Sequence, residues 1–419
     1  MKYIIITIIF ILGVIVAPVS ASELILDSEN SGQRRDGSML WDIFFAIEGN
    51  ADTDSLQIFI TPFTQSGETL NCTSLTGDYP YAVGSGSFHI IWDIGADVPN
   101  REFYSDSIII KLAAAVPGWE PGYCPIYAYV ADYYEGLRII DVSNPFAPIE
   151  VGSCDTPGYA YGVFVSDGLA YVAADGSGLR VIDVSDPFAP VEVGSCDTPG
   201  YACDVFVVGG FAYVADWDSG LCVIDIGDPF APVEVGFYDT PGEALDVFIS
   251  GTFAYVADGA EGLCIIDVSD PSAPVEVGFC DTPDYACGVF VAGDFAYVAD
   301  YSGGLRIIDV SDPTTPVEVG SYDTPGWALG VFVAGSFAYV ADRYNGLRVI
   351  DVGDPSAPVE VGFYDTPGWA YSVFILEPFA YIADYYEGLR IIDVSNPFDP
   401  VEVGSYDTPG TAYGIFVAP

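Results

Sequence analysis

Short apolar segments alternate with clusters of glycine, proline, aspartate and serine through most of this chain. The segment that begins at Ala128 (AYVADYYEGLRIIDVSNPFAP) returns in closely similar form at six later places, each 42 residues after the last. These copies begin at Ala170, Ala212, Ala254, Ala296, Ala338 and Ala380. Repetition at this period predicts a propeller, a solenoid or another array of like units.

Each unit contains four apolar runs of strand length. In the second unit they are GVFV (162–165), AYVA (170–173), LRVIDV (179–184) and PVEVG (190–194). Valine, isoleucine and aromatic residues dominate these runs, and turn-forming residues separate them. Four strands in about 42 residues is the size of one propeller blade. LRVIDV is apolar on both faces, which indicates that a neighbouring blade covers each side.

The ends of the array predict a closed ring. The first unit starts at Ala128 without the strand that precedes AYVA in every other unit, whereas residues 412–417 (AYGIFV) provide a spare copy of that strand. Pairing the two would complete seven blades and hide the free sheet edges. We therefore predict an all-β, seven-bladed β-propeller, with a solenoid as the weaker alternative.

A short motif links the repeats to a known family. LRIID (137–141), LRVID (179–183), LCVID (221–225) and GLCIID (262–267) resemble the LVIVD repeat of secreted and surface proteins of bacteria and archaea. The resemblance covers all seven units and implies a propeller located outside the cytoplasm, without a defined chemistry. The second motif position departs from valine and is occupied by Arg138, Arg180, Cys222, Cys264, Arg306, Arg348 and Arg390. Its regular recurrence favours a structural role for the arginines.

The first part of the chain differs from the repeats. Residues 1–21 combine Lys2, an apolar run and a small-residue cleavage site, which predicts a cleaved signal peptide. Residues 22–115 alternate strands with polar turns, which predicts an N-terminal β-sandwich. This segment resembles an Ig-like module of secreted bacterial proteins, and the resemblance implies a spacer role. Residues 116–127 are interpreted as a linker to the propeller at 128–419. A secreted or cell-surface location is expected, with the periplasm as an alternative.

The formal net charge is −49 and the isoelectric point is about 4.1. Such a surface repels nucleic acid and anionic lipid, so neither is expected as a partner, and no membrane insertion is predicted for the mature chain. Solubility outside the cell, adaptation to high salt and multivalent calcium binding would each explain the charge, in that order of preference. No cofactor is predicted beyond that possible calcium, and the oligomeric state is left open.

Nine cysteines cannot all pair within one chain. Cys196 with Cys203 and Cys280 with Cys287 have matching positions in two units, which allows two local disulfides. The crossing between them spans the blade, however, and favours free thiols instead. No cysteine or histidine spacing suggests zinc.

Catalytic motifs are lacking in the sequence. The one histidine, His89, lies in the predicted sandwich, and the acidic turn at 50–54 lacks the glycine and glutamate of a calcium loop. Aspartates such as Asp141 and Asp155 recur in every unit, as a turn-capping role predicts. A single active site would instead break the repeat in one or two blades.

The positions that vary between units lie in the turn between the second and third strands and just after the DTP sequence. Both connections should emerge on one face of the disc. They are rich in aromatic residues, which suit recognition of a protein or a sugar. The candidate ligand-binding residues are Tyr133, Tyr134, Tyr159, Tyr201, Trp217, Tyr285, Tyr301, Trp327, Tyr344, Trp369 and Tyr385.

These features predict a non-catalytic, secreted or cell-surface scaffold that binds an extracellular protein or polysaccharide through one face of the propeller. One alternative is an extracellular glycan hydrolase, for which Glu243 and Asp218 are the irregular acids in the variable loops. A structural surface-layer component is the other alternative.

Overall fold

The structure is a computed structural model that describes residues 125–418 and, before them, only the backbone of separate strand segments. The chain divides into two units, Met1–Tyr123 and Cys124–Pro419. The segments in the first unit are Glu23–Leu26, Gly32–Gln33, Leu40–Glu48, Leu56–Thr64, Leu75–Gly77, Tyr81–Ala82, Gly86–Asp93 and Ile108–Ala115. The predictions of a signal peptide, of an Ig-like sandwich that contains His89 and of most of a linker lie outside the described residues.

The repeats form seven four-stranded antiparallel sheets, one for each blade. From the innermost strand outward, blade 2 contains Gly162–Ser166, Leu169–Ala173, Leu179–Asp183 and Val191–Cys196, and blade 3 contains Asp204–Val208, Phe211–Ala215, Leu221–Asp225 and Val233–Tyr238. Blade 4 contains Asp246–Ser250, Phe253–Ala257, Leu263–Asp267 and Val275–Cys280, and blade 5 contains Gly288–Ala292, Phe295–Ala299, Leu305–Asp309 and Val317–Tyr322. Blade 6 contains Gly330–Ala334, Phe337–Ala341, Leu347–Asp351 and Val359–Tyr364, and blade 7 contains Ser372–Leu376, Phe379–Ala383, Leu389–Asp393 and Val401–Tyr406.

Blade 1 joins the two ends of the array. Its innermost strand is the C-terminal Gly414–Ala418, which pairs with Tyr127–Ala131; Leu137–Asp141 and Ile149–Cys154 lie outside it. Ile415 lies opposite Val130, and Val417 lies opposite Ala128. The predicted seven-bladed ring, closed by the C-terminal strand, is therefore confirmed, and the solenoid alternative is wrong.

The core lies between adjacent blades. Small residues of the second strand, such as Ala212 and Ala215, are fully buried, and so are the isoleucines and leucines of the third strand. At one blade boundary, Leu221 and Val223 of blade 3 cluster with Val247 and Ile266 of blade 4. Both faces of each blade are apolar for this reason, as the sequence of the third strand predicts.

A ring of phenylalanines lines the centre of the propeller. Neighbouring innermost strands bring these side chains together with centroid separations of 4.6 to 5.1 Å. The ring consists of Phe164, Phe206, Phe248, Phe290, Phe332, Phe374 and Phe416. It gives the central opening an apolar lining.

The aspartate that ends the third strand caps the following turn in every blade. Asp141 Oδ1 accepts a hydrogen bond from the Ser143 amide, and the same contact recurs from Asp183 to Asp393. The predicted turn-capping role is confirmed for this set.

The described cysteines are free thiols. Cys196, Cys203, Cys280 and Cys287 are partly buried, whereas Cys222 and Cys264 are buried. The local disulfides that the sequence allows between 196 and 203 and between 280 and 287 are therefore not formed. Within the part of the chain that the structure describes, no helix is long and apolar enough to cross a membrane.

Removal of residues 414–419 should destabilise the propeller strongly. The deletion exposes the edge of Tyr127–Ala131 and removes the buried side chains of Ile415 and Val417. At ~1.5–3 kcal/mol for each buried aliphatic side chain, we expect a fall in Tm of roughly 10 °C or more by calorimetry. Deletion of Pro419 alone is the control. An unchanged Tm after the longer deletion would contradict closure by the C-terminal strand.

Candidate functional site

Two sets of connections meet on one face of the disc, as the sequence predicts. The turn between the second and third strands of each blade forms an isolated antiparallel bridge with the crossing that leaves the same blade. In blade 1 this bridge joins Tyr133 to Ala160, and in blade 7 it joins Tyr385 to Ala412. The variable residues of the two connections therefore lie side by side. We call this the variable face.

In six of the seven blades, a buried aspartate holds the incoming crossing in place below this face. In blade 6, Asp342 accepts hydrogen bonds from the Thr324 hydroxyl at 2.6 Å and from the Gly326 amide at 2.8 Å. The pairs Thr408–Asp132, Thr198–Asp216, Thr240–Asp258, Thr282–Asp300 and Thr366–Asp384 repeat the contact. Blade 2 is the exception, because Ala174 replaces the aspartate and Thr156 donates to the Gly158 carbonyl instead. We call this contact the Asp–Thr latch.

The motif arginines join the latch to the outer strand. Arg348 contacts Asp342 at 3.7 Å, Glu360 at 3.9 Å and Asp365 at 2.7 Å. Arg138, Arg306 and Arg390 make the same set of ion pairs, and Arg180 makes two of them. The structural role expected for these arginines agrees with the contacts. In these five blades the DTP aspartates pair with arginine, a role that differs from the turn capping predicted for Asp155 and its equivalents.

Most of the predicted ligand-binding residues join one network of aromatic rings on the variable face. Every ring in it contacts at least one other, with centroid distances of 4.1 to 6.3 Å. We call it the aromatic crescent, and it consists of Tyr301, Trp327, Tyr344, Trp369, Tyr371, Tyr385, Tyr386, Tyr413, Tyr133, Tyr134, Tyr159 and Tyr161. It extends over blades 5, 6, 7 and 1 to the start of blade 2.

Tyr161, Tyr371, Tyr386 and Tyr413 belong to the crescent although they are not among the candidate residues taken from the sequence. A signal was available for the three of these that precede the innermost strand. That position varies from blade to blade and holds Tyr161, Cys203, Leu245, Cys287, Leu329, Tyr371 and Tyr413. The phenol of Tyr413 is half-buried beneath the crescent, and its pKa is raised by burial first and then by its hydrogen bond to Tyr385.

Part of the crescent is a stack of planar groups. Tyr301 stacks on Trp327 at 4.5 Å, and Trp369 stacks on Tyr385 at 4.8 Å. The Arg343 guanidinium lies 4.3 Å from the centre of the Trp327 ring and 4.6 Å from that of the Trp369 ring. These rings are half-buried, whereas Tyr134 and Tyr386 are 64% and 66% exposed. The stacked rings therefore form the ordered, half-buried part of the crescent, and the exposed tyrosines face solvent.

The other predicted site residues lie apart from the crescent. Tyr201 contacts Trp217 at 5.3 Å, and the Tyr285 hydroxyl donates to Glu243 at 3.1 Å. Asp218, the other acid considered for hydrolysis, is exposed on its turn. Among the residues that the structure describes, no ring contact joins these groups to the crescent.

Blades 3 and 4 carry uncompensated negative charge. Cys222 and Cys264 replace the motif arginine there, so Asp216 and Asp258 keep the latch without a cation. Burial raises the pKa of both aspartates, and that of Asp258 reaches about 6. The variable face is thus aromatic on one side and acidic on the other.

A pair of carboxyl groups at the innermost strands of the same two blades was missed from the sequence. Asp204 and Asp246 hydrogen-bond to each other, and Asp246 also accepts from the Val289 amide at 2.7 Å. Two carboxyl groups in this contact must share a proton. Burial and the neighbouring Asp246 hold the pKa of Asp204 well above its usual value. The signal was present, because the other blades have Gly162, Gly288, Gly330, Ser372 and Gly414 at this position.

Two thiols lie close to this pair. Cys203 directly precedes Asp204, and Cys287 precedes the innermost strand of blade 5. Burial raises the pKa of each thiol to about 12, so both are neutral near pH 7 and are poor nucleophiles. Within residues 125–418, no group of three or more histidine, cysteine, aspartate or glutamate side chains is arranged to hold a metal ion.

Comparison with known proteins identifies the repeats. Seven successive segments match the family model described as LVIVD repeat, at residues 126–156, 157–198, 199–240, 241–282, 283–324, 325–366 and 367–408. No curated protein matches the chain.

Solved structures resemble this chain at low sequence identity. The computationally designed Ika8 protein is 8% identical over 70% of this chain and 87% of its own, with a TM-score of 0.53. Apo AztD from Citrobacter koseri is 14% identical over 71% of this chain and 98% of its own, with a TM-score of 0.44. The similarity to Ika8 supports the fold alone, and the TM-score for AztD is too low to support a conclusion.

The Asp–Thr latch predicts unequal costs for one substitution in two blades. Thr324→Val removes a hydroxyl donor from buried Asp342, which should cost ~1–3 kcal/mol because the carboxylate oxygen is left without that partner. Thr156→Val in blade 2 removes a hydroxyl that has no aspartate beside it, so its cost should be smaller. Thermal unfolding of both variants tests the difference. Equal losses of Tm would show that the hydrogen bond to the buried aspartate stabilises the fold no more than the bond of Thr156 to a carbonyl.

The carboxyl pair predicts a pH dependence of stability. The pKa of Asp204 is raised in the folded state. Its contribution to the free energy of unfolding is therefore complete below the pKa of an unfolded aspartate, ~4, and is lost as pH rises through the pKa of the folded state. Asp204→Asn keeps a donor to Asp246 and has no such dependence. We therefore expect the Tm of this variant, relative to the parent, to increase from pH 4 to pH 8. Asp218→Asn is the exposed control, and Tm curves for Asp204→Asn that stay parallel to the parent would disprove the shared proton.

Proposed function

We propose that this chain, which belongs to the LVIVD-repeat family, is a non-catalytic binding scaffold that recognises an extracellular macromolecule through its aromatic crescent. The observation that carries the proposal is the continuity of the crescent. Variable residues from neighbouring blades, far apart in the sequence, form a single network of rings on one face. Tyrosine, tryptophan and arginine are also the residues enriched where binding energy concentrates in interfaces.

The rigidity of the platform supports binding. Each turn of the crescent is held by a backbone bridge to the adjacent crossing, and in blades 1, 5, 6 and 7 it is also held by the Asp–Thr latch. Side chains that are already ordered lose little conformational entropy when a partner binds. Exposed Tyr134 and Tyr386 would then provide contact area at low cost in conformational entropy.

We also propose that the protein is exported from the cytoplasm. The apolar segment at 1–21 is typical of a cleaved signal peptide, and the large negative charge suits a protein outside the cytoplasm. The mature protein would then act as a secreted or surface-associated molecule, with the periplasm as the alternative site.

The hydrolase alternative has less support. Retaining and inverting glycosidases use carboxyl groups roughly 5 to 9.5 Å apart, so that a substrate or water fits between them. Asp204 and Asp246 are in direct hydrogen-bond contact, which is closer than this chemistry requires. Glu243 accepts a hydrogen bond from Tyr285, while Asp218 is exposed on another turn. These environments favour binding over general acid catalysis.

Binding through the crescent can be tested with the mature protein and a panel of immobilised neutral and acidic polysaccharides. Tyr134→Ala combined with Tyr386→Ala should reduce retention at least tenfold, because both side chains are exposed and belong to the crescent. The matched control is Phe188→Ala with Phe398→Ala. These side chains are 67% and 64% exposed and lie in turns at the opposite ends of the strands.

Equal retention of the tyrosine variant and the parent would exclude the crescent as the binding surface. Loss of retention in the phenylalanine variant alone would move the site to the opposite face. If none of the polysaccharides is retained by the parent, the partner class becomes protein.

A further inference from the structure

Arg343 differs from every other arginine that the structure describes. Arg138, Arg180, Arg306, Arg348 and Arg390 are each paired with carboxylates, whereas within residues 125–418 Arg343 makes no ion pair. Its guanidinium is enclosed by Trp327, Trp369 and Tyr344, and its Nη1 is 3.5 Å from the Tyr301 hydroxyl. Its Nε is buried without a hydrogen-bond partner, as is that of each motif arginine. The cation is therefore held by aromatic rings and not by a carboxylate.

Most carboxylates around the crescent are already paired with arginine; Asp284 instead accepts hydrogen bonds from Ser302 of the blade 5 turn. On the DTP crossings, Asp323, Asp365 and Asp407 accept hydrogen bonds from the motif arginines at 2.7 to 3.1 Å. On the turns, Glu135 and Glu387 pair with Arg138 and Arg390 at 2.8 and 3.0 Å. The turn that holds Arg343 (Arg343-Tyr344-Asn345) contains no acid. Since these carboxylates are held by the motif arginines and none of them pairs with Arg343, the charge of Arg343 is left for a ligand.

Apart from Asp284, the acids of the turns and crossings that lack an ion pair are concentrated on the other side of the variable face. Asp218, Glu243 and Glu261 lie on the connections of blades 3 and 4, where Cys222 and Cys264 replace the motif arginine. The face therefore has two regions of opposite character. A ligand with a negative group would be directed to the crescent and away from blades 3 and 4.

We propose that the ligand of the aromatic crescent is a polysaccharide with uronic acid units, and that Arg343 binds the carboxylate of one unit. This rests on the proposed function of the crescent. The guanidinium is a planar fork that matches a carboxylate, and the exposed faces of Tyr134, Tyr344 and Tyr386 offer surfaces for the CH groups of adjacent sugar rings.

The composition of the platform favours sugar over protein as the partner. The turns between the second and third strands of blades 5, 6, 7 and 1 present aromatic rings together with Ser302 and Asn345. At residues 301–303, 343–345, 385–387 and 133–135, these turns contain no aliphatic side chain. Hydroxyl and amide groups suit the many hydroxyls of a sugar chain. A protein interface core, in contrast, combines aromatic residues with other apolar side chains.

The net charge of −49 gives the complex an unusual dependence on salt. At low ionic strength the distant carboxylates of the propeller repel a polyuronate, and salt screens this repulsion beyond ~8–10 Å. The contact between Arg343 and the ligand is shorter than this distance and is screened less. We expect affinity to increase between 20 and 150 mM NaCl, opposite to the behaviour of a basic binding surface.

The test compares two polymers with the same sugar backbone, polygalacturonate and its fully methyl-esterified form, by calorimetry or affinity electrophoresis with the mature protein. The parent should bind the acid form at least tenfold more tightly. Arg343→Tyr should abolish this preference, and Arg343→Lys should keep part of it. Tyrosine occupies the equivalent position as Tyr133, Tyr301 and Tyr385, so the backbone of this turn accepts it.

The outcomes separate this inference from the proposed function. Equal binding of both polymers by the parent would overturn the role of Arg343 but leave the crescent as a binding surface. An equal loss for both polymers in Arg343→Tyr would mean that Arg343 only supports the rings, and would also overturn the inference. Binding of neither polymer, together with retention of another polysaccharide from the panel, would exclude a polyuronate. A loss of preference confined to Arg343→Tyr would confirm it.

Discussion

Each blade of this propeller is apolar on both faces, and this constraint determines the rest of the structure. Alanines of the second strand and branched residues of the third have no exposed area, because the next blade covers them. No blade can satisfy this condition alone, so the array must close. Closure uses the C-terminal strand, and on the variable face it uses the contact between Thr408 and Asp132, which are 276 residues apart. The ring thus joins its ends in the core and at the surface.

The repeat made the fold predictable from the sequence. The period, the four apolar runs and the spare C-terminal strand predicted the blade count and closure, and the strands of blade 2 begin and end within about two residues of the expected positions. The latch was not predicted, because the sequence alone does not show that the aspartate after AYVA is buried beside a threonine of the incoming crossing. Such contacts depend on how the crossings pack between blades, which a one-dimensional pattern does not contain.

The candidate site was predicted in part. Variation between copies identified the two connections, and the structure brings Tyr133, Tyr159, Trp327 and Trp369 into one network. The same variation does not show which rings meet, so Tyr201 and Trp217 were grouped with residues they do not touch. Asp204 lies in the innermost strand and not in a variable loop, so variation between loops does not identify it. The change from glycine to aspartate at this position places a carboxyl group against the next blade.

The departures from the repeat change the charge of individual blades. Blades 5, 6, 7 and 1 keep the motif arginine, which forms ion pairs with the latch aspartate and the DTP aspartate, so the negative charge beneath the aromatic rings is partly offset there. Blades 3 and 4 lose that arginine and gain Asp204 and Asp246, and burial there favours the protonated carboxyl. A common backbone thus carries two electrostatic environments. Each depends on the residues at two positions of the repeat, the second position of the motif and the first position of the innermost strand.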